Sequence, residues 1–157
     1  DELRRGLLSF EGVEHRLESA GSVKGVKFVN DSKSTNVDST IKAVNAFGEK
    51  TYLILGGRDK NLDFCELFAK MPPRVKKIAL IGEAAETIAS FAQRKGFKRY
   101  CFCDGLENAV RTLYAEASAG DVILLSPACA SFDSYRNFAE RGEHFKKIVE
   151  KLKNETY

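Results

Sequence analysis

Three short segments hold the side chains of this sequence that could do chemistry. They are Asn30-Asp31-Ser32-Lys33-Ser34-Thr35-Asn36, Gly56-Gly57-Arg58-Asp59-Lys60 and Ser126-Pro127-Ala128-Cys129-Ala130-Ser131-Phe132-Asp133. The first sets a carboxylate, an ammonium and several hydroxyls ahead of an apolar periodic run, where the free amides and dipole of a helix N-terminus suit an anion. The same residues would also serve as a rich N-cap with solvated charges. The second is a glycine pair that lets the backbone turn sharply, followed by Arg58 and Lys60, either of which can meet a carboxylate or a phosphate. Standing alone, it is equally an ordinary turn with exposed charges. The third is small and apolar up to Ala130 and turns polar at Ser131 and Asp133. That pattern allows close backbone approach or, at Ser131, a cap for the helix that follows.

Other chemistries lack their parts. Neither His15 nor His144 has a Ser or Cys arranged beside it as a nucleophile pair, and His144 falls on the polar side of the last expected helix. Cys65, Cys101, Cys103 and Cys129 form no C-x2-C pair or Cys/His cluster, so no metal site is expected. They read as buried free thiols of a reducing compartment, with Cys101 and Cys103 on one side of a strand. The sequence contains neither a G-x-x-x-x-G-K-[ST] loop nor a G-x-G-x-x-G fingerprint, so the phosphates of any ATP would have to be held by another domain.

Strands and helices must bring the three segments together. Short apolar runs at residues 26–29, 51–55, 77–81, 99–103 and 122–125 read as strands, residues 15–20 with 26–29 as a hairpin or two short strands around the turn signals Gly21-Ser22 and Lys24-Gly25, and residues 1–10 as the tail of a helix. Between them lie helical patterns at residues 36–47, 62–71, 84–95 and 105–117, with Asp104-Gly105-Leu106-Glu107 resembling a capping box. A final helix is expected over residues 135–153, with Phe138, Phe145, Ile148, Val149 and Leu152 as its apolar stripe. Alternation of this kind implies right-handed crossovers and a Rossmann-like α/β fold, a mostly parallel sheet with helices on both faces. In such sheets ligands sit beyond the carboxyl ends of the strands, so the three segments should share one rim.

Composition sets the outer bounds. A chain of 157 residues, 43% hydrophobic and 30% charged, is one globular domain and large enough to need no disulfide or metal for its core. No apolar run approaches the roughly 20 residues of a membrane span, and the first ten residues lack a signal-peptide apolar stretch. A soluble, unexported protein without a membrane partner is expected. The net charge of +3 comes from interspersed signs with no basic stripe, which argues against nucleic acid and limits any bound anion to a small one.

Taken in order, His15-Arg16-Leu17-Glu18, the Asn30 to Asn36 segment, Gly56-Gly57 with Lys60, the Ser126 to Asp133 segment, Asn137-Phe138 and Glu140-Arg141-Gly142 carry a resemblance. The chain resembles the C-terminal domain of the UDP-N-acetylmuramoyl-L-alanine:D-glutamate ligases of the Mur ligase family. Ser34 stands where Ala is usual, and Gly-Gly-Arg-Asp-Lys is one of several variants of its block. The Asn-Asp-Ser-Lys form separates these ligases from folylpolyglutamate synthase, where an Asp-x-x-His-Asn type of segment is expected. That synthase and a non-catalytic α/β binding module are the alternative readings.

The resemblance implies a cytoplasmic, monomeric peptidoglycan-precursor enzyme of three domains. Residues 1–10 would end the central ATPase domain and residues 11–157 would form the C-terminal domain, with the N-terminal and central domains acting in cis on UDP-N-acetylmuramoyl-L-alanine, ATP and Mg2+. The reaction implied runs through an acyl phosphate that the D-glutamate amine attacks. Carried over by position, Lys60, Thr35, Ser131, Phe132 and Phe138 belong to the D-glutamate site, and Arg16, Asp31, Lys33 and His15 to a nucleotide-facing edge. Asp31 would accept both ribose hydroxyls. No catalytic residue is implied within this chain alone, which by itself should be inactive.

Overall fold

The computed structural model describes residues 12–157; the helical tail expected over residues 1–10 lies outside the described residues. The elements follow in the order β1 (Glu18–Val23), β2 (Val26–Asn30), α1 (Val37–Asn45), β3 (Thr51–Gly56), α2 (Cys65–Ala69), β4 (Val75–Ile81), α3 (Ala85–Arg94), β5 (Tyr100–Phe102), α4 (Gly105–Glu116), β6 (Val122–Leu125) and α5 (Phe138–Thr156). Six strands form one sheet in the order β1-β2-β6-β3-β4-β5, antiparallel only at β1–β2. The expected hairpin is there: Val23 pairs with Val26 across Lys24 and Gly25, both at positive φ, the two-residue geometry that matches strand twist.

Side-chain alternation along the strands divides the interior into two layers. Leu53 and Leu55 of β3 pack with Ile41, Val44, Leu67, Ile88 and their neighbours under α1, α2 and α3. Tyr52 and Ile54 face the opposite way, onto Leu106, Val110, Leu113, Phe145, Ile148 and Leu152 of α4 and α5. Both faces of the parallel strands are therefore covered, which is why those strands read as unbroken apolar runs. From β3 the chain steps outward to β4 and β5, then returns to lay β6 between β2 and β3. The strand order reverses there, and the loops leaving β2, β3 and β6 open at the same end of the sheet. Among the described residues no helix is long and apolar enough to cross a membrane.

Several local expectations need correction. Residues 62–71 give only the five-residue α2, because Asn61 takes a left-handed φ and the Asp63 carboxylate accepts from Cys65 N–H just ahead of the helix. The capping box at α4 does not form: Asp104 makes no side-chain cap, its own N–H donates to Asn108 Oδ1, and Glu107 pairs with Arg111 and Lys151. The last helix starts at Phe138 rather than at residue 135. Its N-cap is Asn137, whose Oδ1 accepts from Glu140 N–H, so Ser131 caps nothing. Of the four cysteines only Cys129 is buried, its thiol pushed up to about 12 by desolvation; the other three are half-buried. His144 is also half-buried, with Nδ1 2.6 Å from Tyr135 Oη, rather than lying free on a polar face.

One close approach fixes the last helix against the hairpin. A Cβ on Gly142 of α5 would land on the His15 ring, 2.8 Å from Cε1 and 3.0 Å from Asn30 Nδ2. Gly142→Ala should therefore lower the melting temperature, although alanine in a helix normally gains about 1 kcal/mol over glycine. Overpacking costs of about 1 to 3 kcal/mol outweigh that gain. A thermal melt of the variant checks this, and a rise would mean that the His15 ring yields at no cost.

Candidate functional site

The loops after β2, β3 and β6 come together because each supplies hydrogen-bond partners that the others need. Once past the strand ends, their buried backbone groups have no sheet ladder to join. Ala128 N–H donates to Ser34 O (3.0 Å), Gly56 N–H to Pro127 O (3.0 Å) and Arg58 N–H to Ala130 O (2.8 Å). Glycine is required at the middle loop for contact more than for turning. Gly56 and Gly57 sit at φ of 124° and 145°, and a Cβ on Gly57 would collide with Ala130 O and come within 3.0 Å of Cys129 Cβ.

Asp31 is the polar centre of this junction. It is 2% exposed; Oδ2 accepts from Ser34 Oγ (2.5 Å) and Ser126 Oγ (2.7 Å), while Oδ1 accepts from Leu17 N–H (3.1 Å). Leu17 reaches it through a left-handed turn that also puts His15 at positive φ, a strain the surrounding contacts maintain. Burial holds the Asp31 carboxyl above its ordinary 3.8, opposed by these hydrogen bonds and the nearby Arg16 charge. A carboxylate offers about four acceptor positions. Three are taken within the fold, which leaves Asp31 about one open acceptor position. It lines a cavity of about 220 Å³ with Arg16, Leu17, Ser34, Ser39 and Lys42.

Two further groupings lie on the same rim. Lys60 Nζ stands 5.5 Å from the ring centroid of Phe132, so the loop after β3 meets the segment after β6 where the expected D-glutamate residues lie. Both side chains are exposed. Ser131, next to Phe132, is 2% exposed, and its Oγ has no hydrogen-bond partner among the described residues. Elsewhere, Lys33 Nζ lies 6.0 Å from the Phe138 ring, and Ser32 Oγ–H donates to Phe138 O (2.7 Å). Thr35 follows Ser34 in the first loop and is half-buried. Arg16 is exposed on the cavity side.

His15 is placed apart from Arg16. It is 4% exposed, edge-on to Phe138, with Nδ1 2.9 Å from Asn30 Nδ2. Asn30 Oδ1 accepts from Ser32 N–H, so its Nδ2 is the side that faces the ring, and Nδ1 must be the acceptor. Nε2 then carries the hydrogen toward Glu14 and Glu143. Lys146 fills that acidic group, within 3.2 Å of Glu14, Glu18 and Glu143. His15 is thus built into the packing of α5 against the hairpin.

Arg141 is the functional-site residue that sequence reasoning left without a role. It is 1% exposed and spans two of the three loops: Nη1–H donates to Cys129 O (3.0 Å), Nη2–H to Ser32 O (2.8 Å) and Nε–H to Ser32 Oγ (2.9 Å). Desolvation pulls its pKa down to about 10, which leaves it charged at neutral pH. The signal was available: residues 141, 142, 145, 148, 149 and 152 all fall on the buried stripe of α5, where an arginine needs partners.

The sequence matches the family described as Mur ligase, glutamate ligase domain over residues 15–129. The chain belongs to the Mur ligase family. It is 46% identical over 156 residues to the UDP-N-acetylmuramoylalanine--D-glutamate ligase of Natranaerobius thermophilus, covering 99% of this chain and 34% of that protein. To the enzyme of the same name from Pelotomaculum thermopropionicum it is 45% identical over 147 residues, covering 94% and 32%. This Mur ligase domain therefore spans about a third of the length of the curated relatives it matches. Its fold is shared with the UDP-N-acetylmuramate-alanine ligase of Thermotoga maritima (TM-score 0.62, 14% identity, 95% of this chain and 33% of that one). It is shared as well with the bifunctional folylpolyglutamate synthase/dihydrofolate synthase of Yersinia pestis (TM-score 0.60, 18% identity, 97% and 34%).

The raised Asp31 pKa gives a signed prediction for this domain. Its folded-state pKa lies above 3.8, so the folded state binds the proton more tightly, and ionisation costs stability as pH rises from 3.8 through the folded value. The melting temperature of the natural chain relative to Asp31→Asn should fall across that window and then level off. Paired melts between about pH 3.5 and 7 check the trend. A difference that rises with pH would mean that the hydrogen bonds outweigh burial.

Proposed function

We propose that this chain is the C-terminal, D-glutamate-binding domain of an ATP-dependent ligase that joins D-glutamate to UDP-N-acetylmuramoyl-L-alanine in peptidoglycan precursor synthesis. The observation that carries this reading is the Ser131 hydroxyl, buried and unpartnered among the described residues, beside the Phe132 ring on which Lys60 rests. Buried hydroxyls are ordinarily paired, so a donor left over at a strand-end rim fits one reserved for a ligand. The names of the relatives supply the substrate, and the chain's one-third share of their length supplies the domain role.

D-Glutamate brings two carboxylates, which call for an ammonium and hydroxyl donors. Lys60 is exposed and, among the described residues, tethered only by a ring contact, so its ammonium can swing onto a carboxylate. Ser131 would donate from a fixed position and Thr35 from the neighbouring loop. Phe132 and Phe138 would wall the pocket against water. Exclusion of water matters because the acyl phosphate that such a ligase forms is open to hydrolysis.

Residues 11–157 would form this domain and residues 1–10 the end of a central ATPase domain, with the whole enzyme cytoplasmic and monomeric. The phosphates of ATP and the Mg2+ would be held mainly by that central domain, which supplies the activated phosphoryl group. On this side Arg16 and Lys33 would present cations to the nucleotide. Asp31 fits that edge through its one open acceptor position. On this reading the chain by itself catalyses neither ligation nor ATP hydrolysis.

Two substitutions test the reading in the full-length enzyme. Lys60→Ala should raise the KM for D-glutamate by roughly tenfold or more, from the loss of a charge-assisted bond of about 1.5 to 3 kcal/mol, with little change in the KM for ATP. An unaltered D-glutamate KM would reduce Lys60 to an ordinary surface charge. Ser131→Ala should weaken D-glutamate binding by about 1 kcal/mol or more. Because its hydroxyl has no partner among the described residues, the melting temperature of the chain should hold or rise. A stability loss with normal D-glutamate titration would assign Ser131 to folding alone.

A further inference from the structure

Outside the rim, the described residues contain one other cluster of chemically competent side chains that nothing in the fold uses up. Cys101 lies on the edge strand β5 and Cys103 just past its end, with their sulfurs 3.8 Å apart, the only two of the four thiols in contact among the described residues. Both are half-buried at the margin of the layer under α4 and α5. Their backbone is held on both sides of Phe102: Cys101 pairs in register with Ala79 of β4, and Cys103 N–H donates to Leu80 O (2.9 Å).

That fixed spacing discriminates between the reactions open to a thiol pair. Two same-face residues of a strand are about 6.6 Å apart, near the upper end of the Cα separation a disulfide tolerates. A disulfide would also have to draw the sulfurs in to about 2.05 Å against the β4 ladder. By contrast, a single atom bonded to both sulfurs leaves them well outside disulfide-bond length, so it asks far less movement from the 3.8 Å already present. We infer that Cys101 and Cys103 form a preorganised dithiol site for thiophilic centres that take two sulfur ligands, trivalent arsenicals foremost. A centre needing four protein ligands is not served, since the cluster contributes only two.

Burial first, and then the neighbouring thiol, push Cys101 up to about 11, while the Lys77 ammonium, paired with Glu116, opposes the rise. Cys101 is therefore protonated at neutral pH and slow as a nucleophile toward oxidants. Chelation proceeds from that state. With phenylarsine oxide each thiol gives up its proton, two As–S bonds replace the As–O double bond, and the oxygen leaves as water with no change of oxidation state.

The test treats the folded 157-residue chain with one equivalent of phenylarsine oxide, then counts thiols and measures mass and melting temperature. The expected result is one arsenical per chain, loss of two of the four free thiols and a higher melting temperature. Cys101→Ser and Cys103→Ser should each abolish all three changes, and Cys65→Ser should preserve them. The unfolded chain also carries the C-x-C spacing, so the sign of the melting shift reads what the fold adds. A lowered melting temperature, an adduct that survives Cys101→Ser, or an unchanged thiol count would each overturn the inference.

Discussion

The junction of three loops at the carboxyl end of the sheet rests on two buried charges, Asp31 and Arg141, that have been given neutral partners. Asp31 collects a backbone amide and two serine hydroxyls, and Arg141 distributes its donors over two carbonyls and a hydroxyl. A buried charge left short of hydrogen bonds is costly, so each of these groups enforces the position of every loop it touches. Ser126 belongs to the same network, donating to Asp31, while its carbonyl accepts from Thr40 of α1. The loops are consequently rigid elements of the fold that carry ligand-facing side chains on one edge.

That arrangement separates scaffold from contact surface within single tripeptides. Ser32 is fully buried in the Arg141 network, whereas Lys33 and Thr35 lie partly open on the rim. Ala130 O is used up by Arg58 N–H, whereas Ser131 Oγ beside it has no partner among the described residues. Asp133 extends the same logic to the next strand: Oδ2 accepts from Glu83 N–H at the start of α3 (3.2 Å), which ties the segment holding Ser131 and Phe132 to the turn after β4. Asp59 does likewise for the loop holding Lys60, through Thr87 Oγ1–H (3.0 Å). The turn after β4 and the first turn of α3, residues 82–87, thus support both walls of the candidate pocket.

The sequence by itself determined the fold class and the end of the sheet at which the three polar segments meet. Alternating apolar runs and helical stripes specified a parallel sheet covered on both faces, because only burial on both sides makes strands uniformly apolar. The strand-end rule then put Asp31, Lys60 and Ser131 on a common rim, and the order of the motif blocks carried the family. The tertiary structure decided how each polar residue is used. The Asp104 to Glu107 segment has the letters of a capping box, yet Glu107 is drawn away to Arg111 and Lys151, a choice that depends on α5 lying alongside. His15 precedes Arg16 in sequence, but the left-handed turn buries one against Gly142 and exposes the other. Whether Asp31 faces a ligand or the interior likewise turned on Ser126, ninety-five residues away. Periodicity is a local property and survives in one dimension; the satisfaction of a buried polar group depends on which distant segment arrives beside it, and only the folded chain settles that.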